Sequence, residues 1–217
     1  MNKQLFIVMS LVTFFSCSFC RADDSDKEKF QLSIDQSSIF INGGTISNID
    51  RYTNVKSKNA SLGLLGVGLR YYPAKTIFAE LDAQSVLGKQ VGATMIFNDG
   101  APNTDILLNS FTRITLLVDK SLQINSRINV TGGLGLTYFS SDEFSGEECW
   151  AEQYSACLKA GIDYTFSKRL QASIGISYLA SPNLVYHQIW VGGGVPVPTF
   201  TIPIYPIMLE TKLLFDL

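Results

Sequence analysis

Residue character alternates along this chain, apolar then polar, in segments of about ten residues, and no other feature restricts the fold as much. In 62–72 one face reads Leu65, Val67, Leu69, Tyr71 and the other Gly66, Gly68, Arg70. In 76–87, Ile77, Ala79, Leu81 and Ala83 oppose Glu80, Asp82 and Gln84. Segments 124–139, 154–166, 170–178 and 207–217 repeat the pattern, and the less regular 30–41 and 111–118 bring the set to eight. Side chains on a strand alternate between its two faces, so each segment is a strand with one apolar and one polar side. Helical periodicity is weak throughout.

The connections between these strands also alternate. Residues 73–75, 119–123 and 167–169 are short, whereas 43–60, 88–109, 140–153 and 180–206 are long. Strands of this length joined by alternating short turns and long loops mark a transmembrane β-barrel. An even strand number returns both ends of the barrel to one side. Counting 90–97 and 184–191 as wall strands gives ten, but it breaks the alternation of the loops. Eight is therefore the expected number, with those two segments as hairpin extensions beyond the membrane.

Composition then becomes intelligible. The 217 residues are 46% hydrophobic and only 17% charged, and mean hydropathy is +0.17. Disorder needs the opposite balance. Polytopic helical membrane proteins need apolar runs of about 20 residues, and none follows residue 20. Seventeen basic residues against 19 acidic ones provide no basic surface for nucleic acid. The N-terminus reads as a Sec-type signal: Lys3, an apolar 5–20, then Cys20-Arg21-Ala22 before Asp23. The expected organisation is a signal peptide over 1–22, a charged leader over 23–29 and a barrel domain over 30–217, exported to the outer membrane.

Two patterns agree with this orientation. Outward aromatics fall at strand ends: Phe30, Tyr71, Tyr164, Phe166 and Phe215 at the side of the short turns, and Phe40, Tyr138, Tyr154 and Tyr178 at the side of the long loops. Membrane interfaces sort aromatics in this way. The opposite face carries Asp35, Arg70, Glu80, Asp82, Arg113, Arg127, Lys159, Asp163, Glu210, Lys212 and Asp216. An eight-stranded barrel has an interior that side chains fill, so these charges are expected to pair in a plugged lumen.

Residues 63–73, 78–82 and 132–138, with the alternating strand 209–217, resemble the small outer-membrane β-barrels: OmpA-like, Ail-like and opacity-type surface proteins. The resemblance covers nearly all of 23–217 as a pattern rather than a signature motif. It implies a non-enzymatic surface protein of structural or adhesion type, whose specificity lies in its loops. It also implies a last strand read by the outer-membrane insertion machinery. That strand usually ends in an aromatic residue; here it ends in Leu217, with Phe215 two residues before.

Other chemistry is thinly supported. The lone His187 lacks an oriented serine and acid; Ser177 and Ser181 are near it only in sequence, and Glu210 is the next acid. Zinc would need a His and Cys cluster. Asp142, Glu143, Glu147, Glu148 and Glu152 lack the spacing of a calcium loop. Gly132, Gly133 and Gly135 lie within a strand, where no nucleotide motif is found. No cofactor is expected. Cys149 and Cys157 form an even pair in an exported chain and are expected as a disulfide. The loop at 43–60 holds Arg51, Lys56 and Lys58, a candidate surface for anionic partners. The loop at 140–153 is acidic. The loop at 180–206 holds five of the seven prolines with many apolar residues, and it is free to dock on lipid, close the mouth, grip a partner or pack on 88–109. The partners expected are membrane lipid and a host or cell-surface ligand at the loops. The alternatives are a lipid-modifying barrel enzyme, a small channel and a soluble lipid-binding barrel.

Overall fold

The computed structural model describes residues 30–48, 53–57, 59–86, 91–97, 104–107, 111–141, 150–180, 183–187, 189–191, 195–197 and 200–217. The expected signal and leader lie outside these residues. Eight antiparallel strands form the wall: β1 (Phe30–Ile41), β2 (Ala60–Ala74), β3 (Ile77–Val86), β4 (Thr112–Gln123), β5 (Ile128–Ser141), β6 (Trp150–Ser167), β7 (Leu170–Leu179) and β8 (Ile207–Asp216). Each pairs with its sequence neighbour, and β8 pairs back to β1, with Gln31 opposite Asp216, so the sheet closes on itself. Closure satisfies every strand edge, which a backbone in hydrocarbon requires.

One turn lies later than the sequence implies. The expected connection at 119–123 is strand, and the chain reverses at 124–127 instead. Asn125 causes this. Its Oδ1 accepts from the backbone N–H of Arg127 at 2.8 Å and of Ile128 at 2.9 Å, an Asx-type turn.

The ladder fixes the barrel's dimensions. From Leu122, paired residues run through Val130, Ile162, Ile174, Thr211, Gln36, Leu65 and Ser85 to Thr112, ten residues back along the same strand. With about 3.3 Å of rise per residue and strands about 4.8 Å apart, eight strands with that offset tilt by roughly 41°. The wall is then about 16 Å across, and about ten residues climb the ~25 Å apolar band of an outer membrane.

The outer face is the apolar one. Ile34, Leu81, Leu116, Leu134, Leu136, Leu158, Ile162, Ile174 and Leu213 are exposed, Leu134 at 65%. Such a continuous apolar surface is not stable in water and needs a bilayer around it. Aromatic pairs mark its two borders: Phe30 stacks on Tyr71 at 4.9 Å and Tyr164 meets Phe166 at 5.0 Å at one, and Tyr138 lies 4.8 Å from Tyr154 at the other.

Above that second border the chain keeps forming strands. Hairpins Gly44–Asn48/Thr53–Ser57 and Val91–Phe97/Thr104–Leu107 join into a four-stranded sheet. Asn183–His187 pairs with the start of β6 and with Phe200–Pro203. The 90–97 and 184–191 segments are thus extensions outside an eight-stranded wall. Among the described residues, Asn183–His187 of the long apolar loop extends the wall from β6.

Candidate functional site

Inward positions on β1, β2, β3, β4, β6 and β8 carry the charges, and the barrel's narrow bore brings them together. Glu80 is the hub. It accepts from Arg70 Nε, from Lys159 and, at 2.9 Å, from Lys212 Nζ. Arg70 reaches across to Asp163 at 2.8 Å and lies 4.6 Å from the centre of the Phe78 ring. Lys212 also binds Asp82, with Asp35 at 3.7 Å. Arg113 binds Glu210 at 2.6 Å and Gln84 at 3.0 Å, and Ser177 donates to Glu210 at 2.9 Å. Arg70 is 0% exposed. Arg70 and Glu80 face each other on neighbouring β2 and β3, but the other ion pairs tie strands far apart in sequence, so the network cross-braces the wall.

An apolar layer lies over the charges, toward the long loops. There the inward residues are Ile39 and Ile41 of β1, Leu62 and Leu64 of β2, Phe111, Phe139 of β5, Leu179 of β7 and Met208 of β8, all buried. Phe111 and Phe139 approach to 5.6 Å. Toward the short turns, Phe78 and Leu214 are buried, Tyr72 donates to Gln31 at 2.9 Å, and Gln31 donates to Asp216 at 2.6 Å. The lumen therefore has three layers: a mixed floor, an ion-paired middle and an apolar top. Inward glycines make room for them. A Cβ on Gly68 would collide with Asp82, Ser33 and Asp35.

Of the eleven expected inward charges, Asp216 is half-buried at the short-turn end, and nine, Asp35, Arg70, Glu80, Asp82, Arg113, Lys159, Asp163, Glu210 and Lys212, are buried inside. Arg127 is not. The Asn125 turn carries it out to the rim, where it is exposed and its Nη1 lies 3.5 Å from Tyr164 Oη. The same shift of the turn puts Asp119, expected in a connection, into the lumen with both oxygens lacking a hydrogen-bond partner. Among the described residues the lumen thus holds six carboxylates and four bases, not the near balance expected.

The expected disulfide involves Cys149, which lies outside the described residues. Cys157 is a free, buried thiol facing the lumen. Trp150 opens the strand that contains it, and that strand pairs without a break with β5.

His187 ends a strand and lies opposite Trp150. Ser177 is buried against Glu210 in the lumen, and Ser181 lies outside the described residues. Among the described residues no three His, Cys, Asp or Glu gather to hold a metal. Lys56 occupies the row Thr45, Lys56, Thr94, Asp105 across the outer sheet, and Arg51 and Lys58 lie outside the described residues.

No protein-family model and no curated protein sequence matches this chain. Solved structures do. The outer membrane protein OprG from Pseudomonas aeruginosa is similar with a TM-score of 0.62 and 16% identity, over 88% of this chain and 97% of that one. The outer membrane protein AlkL is similar with a TM-score of 0.54 and 14% identity, over 91% and 95%. Neisserial surface protein A is similar with a TM-score of 0.51 and 12% identity, over 87% and 97%. At these identities the likeness is one of fold, and the fold is that of the small eight-stranded outer-membrane barrels.

Proposed function

We propose that this chain is a non-enzymatic surface protein of the outer membrane, whose barrel is a sealed anchor and whose working part is the strand-built platform above it. One observation carries this reading. Ion pairs bridge the bore, and a layer of buried apolar side chains lies over them, which supports a closed lumen. What the protein does then falls to the outer sheet and the 183–203 strands, which extend the wall beyond the bilayer.

Within that platform, Lys56 with Arg51 and Lys58 is the proposed contact for an anionic sugar or phosphate on a cell surface.

Planar bilayers test the seal. The purified protein is expected to give no steady conductance over minutes at 1 M salt (a concentration chosen to reveal even small pores). A reproducible unitary conductance would replace the sealed anchor with a channel. Replacing Arg51, Lys56 and Lys58 by Gln is expected to abolish binding to immobilised anionic glycans; unchanged binding would remove the basic loop from the platform's function.

A further inference from the structure

Outside the lumen, among the described residues, a group of exposed bases lies at the end opposite the platform. The short turn between β2 and β3 holds Lys75, that between β4 and β5 holds Arg127, and that between β6 and β7 holds Lys168 and Arg169, with Lys120 near the end of β4. All five are exposed, and none of these turns contains an acid. Asp216, at the same end, is half-buried and engaged by Gln31. The seven-residue leader that precedes β1 holds four acids and two lysines in sequence, enough to offset two of the five bases. The loops at the other end have the opposite sign: Asp50, Asp99, Asp105, Asp142, Glu143, Glu147, Glu148 and Glu152 outnumber Arg51, Lys56, Lys58 and Lys89.

The rim holds its bases in place. One carbonyl in each turn is tied to the strand beyond its hairpin: Ser121 N donates to Thr76 O at 2.8 Å, Thr165 N to Arg127 O at 2.8 Å, and Asp216 N to Arg169 O at 3.2 Å. The turns thus form one continuous edge, with positive charge on three of its four quadrants. That edge borders the aromatic girdle of Tyr71, Tyr164, Phe166 and Phe215. Such girdles sit at headgroup depth, and Arg127 lies against the hydroxyl of Tyr164. Long basic side chains at this depth reach the phosphate layer with their stems still on the apolar wall.

We propose that this rim binds the anionic phospholipid headgroups of the leaflet that faces the periplasm. The proposal rests on the outer-membrane reading above. It adds a lipid selectivity that an apolar belt alone cannot supply, because acyl chains are the same under charged and zwitterionic headgroups. It also explains the sorting of charge by end: lateral attraction to an anionic leaflet favours one orientation of the barrel.

Spin-labelled lipids test it on the full chain folded into mixed phosphatidylcholine and phosphatidylglycerol bilayers. Heat-modifiable gel mobility first establishes insertion, so failure of the barrel reading shows up separately. The fraction of motionally restricted label then reports which lipid lines the protein. Phosphatidylglycerol is expected to be preferred about threefold or more at 0.1 M salt, with the ratio falling toward one at 1 M, where screening acts within about 3 Å. Replacing Lys75, Lys120, Arg127, Lys168 and Arg169 by Gln is expected to bring the ratio to one at low salt. If that variant does not insert, Lys168→Gln with Arg169→Gln alone is expected to lower the ratio measurably. No preference in the unmodified protein, or a preference that survives in the variants, overturns the proposal. So does co-sedimentation with purified peptidoglycan in place of lipid selectivity, which assigns the rim to the cell wall.

Discussion

Glu80→Gln removes one charge while keeping the side chain's shape. Three cations converge on this carboxylate. After the change, Arg70 keeps Asp163 at 2.8 Å and Lys212 keeps Asp82, but Lys159 retains only Glu210 at 3.7 Å. Breaking a buried pair by removing one partner costs roughly 3–5 kcal/mol. Two of the three cations keep a close acid, so the expected loss is at the low end, about 3 kcal/mol, or roughly 150-fold in the folding equilibrium. Asp35→Asn is the control. Its oxygens make no hydrogen bond, its nearest cation is 3.7 Å away, and it sits among excess acids. Its loss should be about 1 kcal/mol or less. Urea titration in lipid vesicles, read as the folded fraction by gel mobility, measures both at a common slope. If Glu80→Gln costs no more than Asp35→Asn, the hub is not a hub, and the lumen is held by packing alone.

Leu134→Arg places a cation at an outward position 65% exposed to the bilayer, and the same titration should show a loss of about 2–4 kcal/mol. Gly135→Val should yield no heat-modifiable species at all, because a Cβ there falls onto the Leu116 carbonyl and the Leu117 backbone of β4. Cys157 should resist maleimide until the barrel is unfolded, and mobility should be the same with and without reductant; a reductant-dependent shift would restore the bond to Cys149.

The wall was legible because a bilayer outside and a polar bore inside leave a period of two in every strand. Each strand's faces and both aromatic borders follow from that alternation and from nothing else. The exact turn did not follow. Asp119-Lys120-Ser121 looks like a turn by polarity, but the lumen tolerates Asp119 and the rim tolerates Lys120, while Asn125 bonds its own backbone further on. That error moved Arg127 into the bore and Asp119 out of it. The apolar top of the lumen did leave a mark in the sequence: on β1 the inward series runs Ser33, Asp35, Ser37 and then Ile39, Ile41. A face that changes character partway along a strand signals a layered interior. What the outer sheet contacts depends on meetings between separate loops, and alternation within one segment says nothing about those.

The seam between β1 and β8 differs from the other seven. Those join strands that leave the ribosome one after the other, whereas this one sets Gln31 against Asp216. Seven seams can therefore form locally, but the eighth waits for β8. Until then the growing sheet has two bare edges and an unmatched set of charges, since Lys212 and Glu210 arrive only with β8. Such edges invite pairing with other chains. The strand that completes the electrostatics is the one that closes the sheet, so sealing the bore and ending the risk of aggregation are a single event.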